Sequence, residues 1–109
     1  MKTFRLRDHY QPHFGECIVG SRETGRHTVY LAYGEARAGE ERSLASDGHE
    51  EILLLLGGEA LLRCGSEEVQ LGCEEVVALE AGARATLSAL SDCRYVVAGG
   101  HPTPHPSLP

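Results

Sequence analysis

The chain has 109 residues, 41% of them hydrophobic and 24% charged, with 13 glycines, no tryptophan and a net charge of −6. That length supports one domain around one core, the apolar share excludes a disordered chain, and the acidic balance excludes a surface built for nucleic acid or anionic lipid. MKTFRLRDHY carries basic residues but not the apolar segment of a signal peptide, and no stretch is long enough to span a bilayer, so a cytoplasmic protein with no membrane or nucleic-acid partner is expected.

Taken in chain order, HTVYLAY (27–33) alternates, with His27, Val29, Leu31 and Tyr33 on one face, and reads as a strand. The polar, glycine-bearing 34–48 reads as a connection with room for short edge strands. EILLLL and EALLRC follow, separated by Gly57-Gly58. Leu, Glu and Ala are good helix formers, but two adjacent interior glycines would cost a helix about 1 kcal/mol each, so two strands are expected. EEVQL (67–71) and EVVAL (75–79) are short strands, and ARATLSAL places Ala83, Ala85, Leu87 and Ala89 on one apolar face. RYVVAG (94–99) is the last strand. Four of the five prolines lie in the segment after it, which cannot continue a ladder.

Seven or more short strands, turn signals every 8 to 12 residues and no amphipathic helix predict an all-β sandwich or barrel. The domain is expected over 1–100, with its motif-bearing part at 27–100 and an N-terminal segment adding strands; 101–109 is a Pro-rich tail. Cys17, Cys64, Cys73 and Cys93 have no C-x-x-C spacing, so they read as scattered thiols and not as a zinc site. No G-x-S-x-G elbow, Walker loop or G-x-G-x-x-G is present.

Gly39, Glu51 and Gly58 fit the pattern G-x5-H-x-H-x3,4-E-x6-G, and a second pattern, G-x5-P-x-G-x2-H-x3-N, begins at Gly72 and keeps Gly82, with two residues more between them. In these glycines and in its strand alternation the chain resembles the small single-domain cupins, over roughly residues 27–100. The resemblance implies a cupin-type double-stranded β-helix, or jelly-roll barrel. It also implies a metal held by three histidines and a glutamate, and here the histidine positions fall on Ala45, Asp47 and Ala85. Glu80 stands at the proline position and Ala89 at the asparagine position. Since a methyl group offers no lone pair to a metal, no cofactor is expected. Asp47 and Glu51 alone would hold Mg²⁺ or Ca²⁺ weakly at best.

Two readings of the site stay open. Asp47, His49 and Glu51 share a face if the chain is extended through Gly48; with His27 they form an alternative set for a divalent metal. Without a metal, an inward Glu51 would be desolvated and become a candidate catalytic acid or base together with His49. Alternatively His49 is a rim residue, and Glu51 is either a cleft carboxylate or the partner of an arginine such as Arg63. His101 and His105 read as tail, and Tyr10, His9 and His13 as uninformative.

The expectation is a barrel that binds a small organic ligand at His27, Asp47, His49, Glu51, Ala85 and Leu87, with the small side chains of the 83–89 face leaving room for it. The alternative is a metal-dependent or acid/base enzyme of the isomerase or dioxygenase type that cupins include. EILLLL is apolar on both faces, so its outer side needs a cover. A homodimer is therefore expected, with MKTFRLR crossing to the partner as an added edge strand.

Overall fold

The structure is a computed structural model that describes residues 1–45 and 48–101. In chain order, a 3-10 turn (Leu6–His9), β1 (Tyr10–Gln11), β2 (Glu16–Val19) and one helical turn α1 (Ser21–Thr24) precede β3 (Tyr30–Ala36) and β4 (Glu41–Ala45). Then come β5 (Glu50–Gly57), β6 (Ala60–Cys64), β7 (Glu67–Leu71), β8 (Val76–Leu79), β9 (Arg84–Ala89) and β10 (Cys93–Gly100). All pairings are antiparallel. They build a six-stranded sheet in the order β1-β2-β3-β10-β5-β8 and a four-stranded sheet in the order β4-β9-β6-β7.

The two sheets enclose one core, because their inward residues join a single apolar cluster. Leu53 and Leu55 of β5, Leu87 of β9 and Tyr95 of β10 are fully buried there. ARATLSAL behaves as its alternation predicts: Ala85, Leu87 and Ala89 are buried, and the residues between them are not. EILLLLGGEALLRC forms two strands and not a helix. Gly58, at φ 84, makes the turn between β5 and β6 and packs against the backbone of Asp92 and Cys93, where a side chain would collide.

The face assigned to β3 is corrected. Val29 (57% exposed) and Leu31 (41%) lie on the outside, while Tyr30, Ala32 and Gly34 face in. The strand starts at Tyr30, three residues later than the alternation suggested, and chain registry with β10 and β2 decides the inward side. The N-terminal strands β1 and β2 had no signal in the alternation. Within this chain MKTFRLR forms no strand: residues 6–9 form a 3-10 turn against β2, and Arg7 pairs with Glu35 at 2.9 Å. No helix among the described residues is long and apolar enough to cross a membrane.

Candidate functional site

A cleft of about 1010 Å³ opens between the N-terminal segment, β2, β3, β4 and the start of β5. Its apolar wall includes Ile18, Ala32, Leu44 and Val97; its polar groups include Glu16, Arg42 and Glu51, with His27, Tyr30, His49 and His101 also on the wall.

Two strand glycines shape this wall. Gly34 on β3 lies opposite Glu16 of β2 on one side and Tyr95 of β10 on the other. The Tyr95 ring lies over the space where a Gly34 side chain would be, and its hydroxyl donates to Glu16 Oε2 at 2.5 Å. Gly99 on β10 repeats the arrangement, flanked by Tyr30 of β3 and Glu51 of β5. A Cβ at Gly99 would stand 2.9 Å from Glu51 Cγ and 3.0 Å from the Tyr30 hydroxyl. Glycine inside a strand weakens it, and here it lets side chains from neighbouring strands meet above the backbone.

Burial raises the pKa of Glu16, against the opposing effects of the Tyr95 hydrogen bond and Arg42. Burial also raises that of Glu51, and the charge of Glu16 raises it further. The two carboxyl groups therefore sense each other, and neither has an ion pair among the described residues. Burial and the neighbouring Glu16 push the Tyr95 phenol strongly up, so it remains a donor. Arg42 spends its terminal nitrogens on the carbonyls of Glu35 and Glu41, at 3.0 and 3.1 Å, while its Nε is buried with no hydrogen-bond partner among the described residues.

Four imidazoles among the described residues line the cleft; His13 comes from the N-terminal segment, and the other three lie close to one another. His49 and His101 face each other with Nε2 atoms 3.2 Å apart, a contact in which one ring donates and the other accepts. They occupy the next position beyond the last β5–β10 pair, Glu50 with Gly100. The His27 ring lies 6.1 Å from that of His101, and the Tyr30 ring 5.1 Å from that of His49.

The structure thus brings His27, His49 and Glu51 to one cleft. His49 reaches it although Gly48 takes φ 73. His27 reaches it through the bend before β3 and not by strand alternation. Asp47 lies outside the described residues, as does His105. Glu51 is the cleft carboxylate; Arg63 pairs with Glu68 instead, at 2.9 Å. Ala85 and Leu87 are corrected: they belong to the packed core, 4% and 0% exposed, and do not line the cleft. The room expected beside them is filled by Leu53, Leu55 and Tyr95.

The placement of the two alanines at family histidine positions is corrected in one half. Ala85 faces in, but Ala45 is exposed on the rim of the cleft, and Leu44 is the β4 residue that faces in opposite Ala85. The β4 alternation puts Arg42 and Leu44 on the inner side, so the motif spacing alone misjudges the face by one residue. Among the described residues, which do not include Asp47, no three of His, Cys, Asp and Glu stand in a geometry that would hold a metal ion.

Sequence reasoning missed Glu16, Tyr30, Arg42 and Tyr95, and placed His101 in the tail. A signal for two of these groups was present: Gly34 and Gly99 interrupt otherwise regular strands, which marks close approach by neighbours.

No family model and no curated protein matches the chain. Solved structures do. Ectoine synthase from P. lautus superposes with a TM-score of 0.72 at 19% identity, covering 94% of this chain and 80% of that one. A cupin superfamily protein from Desulfitobacterium hafniense gives 0.64 at 17% identity, covering 70% of each chain. This chain has the cupin fold. Oxalate decarboxylase from Bacillus subtilis, studied for its Mn(II) centres, gives 0.71 at 14% identity, covering 83% of this chain and 26% of that one. At these identities the likeness extends to the cupin barrel itself; the chemistry rests on the cleft.

Proposed function

We propose that this cupin barrel binds a small organic molecule in the cleft beside Glu16 and Glu51, without the family's usual metal. One observation carries the reading: a cleft of about 1010 Å³ combines an apolar wall with two partly buried carboxyl groups that no cation among the described residues neutralises at ion-pair distance. Mostly apolar concave sites with a few polar groups are the usual form of small-molecule sites. Holding two carboxyl groups together away from water lowers stability, a cost that proteins retain where function needs it. The four cysteines are free, which agrees with a reducing, cytoplasmic setting.

Native mass spectrometry of protein purified without added metal tests the proposal. The expected result is an organic adduct, or a ligand that raises the melting temperature in a compound screen, with the effect weakened in Glu51→Gln. Titration with Fe²⁺, Mn²⁺, Ni²⁺ and Zn²⁺ forms the second arm. Tight stoichiometric binding of one of these, lost in His49→Ala and Glu51→Ala, would overturn the metal-free reading.

A second reading has its own support. The raised pKa of Glu51, with His49 two residues away on the same wall, suits an acid/base enzyme, since a carboxyl group that keeps its proton to higher pH donates and accepts more readily near neutrality. Two of the neighbours above are enzymes by name. Turnover of a bound ligand that is lost in Glu51→Gln while binding persists would favour this reading over simple recognition.

A further inference from the structure

An apolar row separates the two carboxyl groups of the cleft. On the inner face of the six-stranded sheet, Glu16 shares a row with Gly34 and Tyr95, and Glu51 shares one with Gly99 and Tyr30. The row between them is Ile18, Ala32 and Val97, on β2, β3 and β10, and all three line the cleft. Each acid leans over a strand glycine toward the middle of the sheet: Glu16 meets the Tyr95 hydroxyl, which lies over Gly34, and the Glu51 Cγ stands over Gly99. Along the strands the wall thus runs from acid to apolar strip to acid.

The chain's own donors and cations leave these acids open. Tyr95 donates to Glu16 Oε2, whereas among the described residues Glu16 Oε1 and both oxygens of Glu51 accept no hydrogen bond. Arg42 offsets the charge of Glu16 from a distance, but its terminal nitrogens are held by two carbonyls and it stands 3.5 Å from Glu40. Arg26, exposed on the bend before β3, makes no ion pair among the described residues, and the chain's one lysine, Lys2, is not on the wall. None of the four imidazoles pairs with Glu16 or Glu51 among the described residues. The third acid of the wall, Glu41, accepts from Ser88 Oγ at 3.0 Å.

We propose that the cleft takes a linear aliphatic diamine in its dicationic form, with one ammonium group on Glu51, the other on Glu16, and the methylene chain along Ile18, Ala32 and Val97. This rests on the reading above that the cleft holds an organic molecule, and it names the class. An ammonium group has three donors and no acceptor, which complements carboxylate oxygens that lack donors, and hydrogen bonds between ionised groups are about twice as strong as neutral ones. The chain buries its methylenes against the apolar strip. Two row steps of about 6.8 Å each separate the acids along the strands. That span exceeds the reach of one ammonium group and suits several methylenes with a charge at either end. Glu51 is the stronger end, because Arg42 opposes a cation at Glu16.

Isothermal titration of the full chain with putrescine, cadaverine and hexamethylenediamine, at neutral pH and moderate salt, tests this, with butylamine as the singly charged probe and butanediol as the uncharged one. Saturation at one diamine per chain is expected, with the best diamine about tenfold or more tighter than butylamine and no binding of butanediol. Glu51→Gln should weaken the diamine by about tenfold or more and Glu16→Gln by about threefold to tenfold. Glu67→Gln makes the same change of net charge at the exposed start of β7 and should leave the affinity within about twofold. Far-UV circular dichroism identifies any variant that fails to fold, and Glu51→Gln, whose side chain has no hydrogen bond to lose among the described residues, is the safer of the two cleft variants. Butylamine as tight as every diamine overturns the second contact, and butanediol as tight as the diamines overturns the role of charge. A loss in Glu67→Gln equal to that in Glu51→Gln means attraction to the acidic surface as a whole and overturns the site. Absence of diamine binding overturns the inference, and native mass spectrometry with the compound screen then separates the two failures: an adduct of another class, lost in Glu51→Gln, leaves the cleft as a binding site, whereas no adduct with any compound removes that reading too.

Discussion

Three successive inward residues of β5 show how differently the two ends of this barrel are built. Leu53 and Leu55 are fully buried among Leu87 and Tyr95, in a dry, close-packed interior. Glu51, two residues before Leu53 on the same face, stands in an open cleft beside Tyr30 and within the field of Glu16. One strand thus runs from a region whose task is stability into one whose polar groups reduce it. The difference arises from what lies opposite. The four-stranded sheet supplies Leu62, Ala85 and Leu87 against the leucines, whereas the cleft end is bordered by β4, the N-terminal turns and β2.

The largest effect should come from the dry end. Leu53→Ala removes a fully buried side chain and should cost about 2–5 kcal/mol in thermal or denaturant unfolding. A loss well under this range would mean that the interior collapses around the gap. Next is the junction of the two regions. Gly34→Ala drives a methyl group into the Tyr95 ring and should cost about 1–3 kcal/mol or more. The shift should also displace the phenol from Glu16, visible as a change in near-ultraviolet circular dichroism.

Tyr95→Phe should be milder, about 1–2 kcal/mol, because it leaves the ring and deletes the hydroxyl that Glu16 uses. Since that hydrogen bond lowers the Glu16 pKa against burial, its loss should move the Glu16 titration, followed by carbon NMR of the side-chain carboxyl, to higher pH. A downward shift would contradict the assigned contact.

The smallest effect belongs to Glu51→Gln and depends on pH. The folded pKa of Glu51 lies above the ordinary 4.5, so its contribution to stability is complete below that value and is lost as pH rises through the raised one. The glutamine variant should therefore melt slightly higher than wild type at neutral pH, with the difference vanishing in acid. A constant difference across pH would show that Glu51 titrates as a surface residue does.

The strand most legible in the sequence is β9, whose alternation is set by one buried face and which buries the alanines and the leucine that its pattern marks; β7 begins and ends where EEVQL does, although Leu71 alone among its residues is buried. β5 and β6 were legible for another reason, since Gly57 and Gly58 leave no helix between them. In the cleft, Glu51, His49 and His27 were legible as chemistry-bearing residues, although the reason His27 reaches the wall was not. Glu16 was illegible. Its strand has four residues, too few for a period, and its meaning depends on Tyr95, which is 79 positions away.

Composition, glycine spacing and alternation thus determined the class of fold, the two-sheet core and one carboxylate of the cleft, because a period of two and a forbidden helix are local properties of the chain. Which residues share the cleft was decided only by tertiary registry: Gly34 and Gly99 become windows because β2, β10 and β5 align their side chains beside them. The face of Ala45 and the inclusion of His101 were settled in the same way. A one-residue change in pairing turns a side chain to the other side of its sheet, and that pairing is fixed by the packing of the whole barrel and not by any single strand.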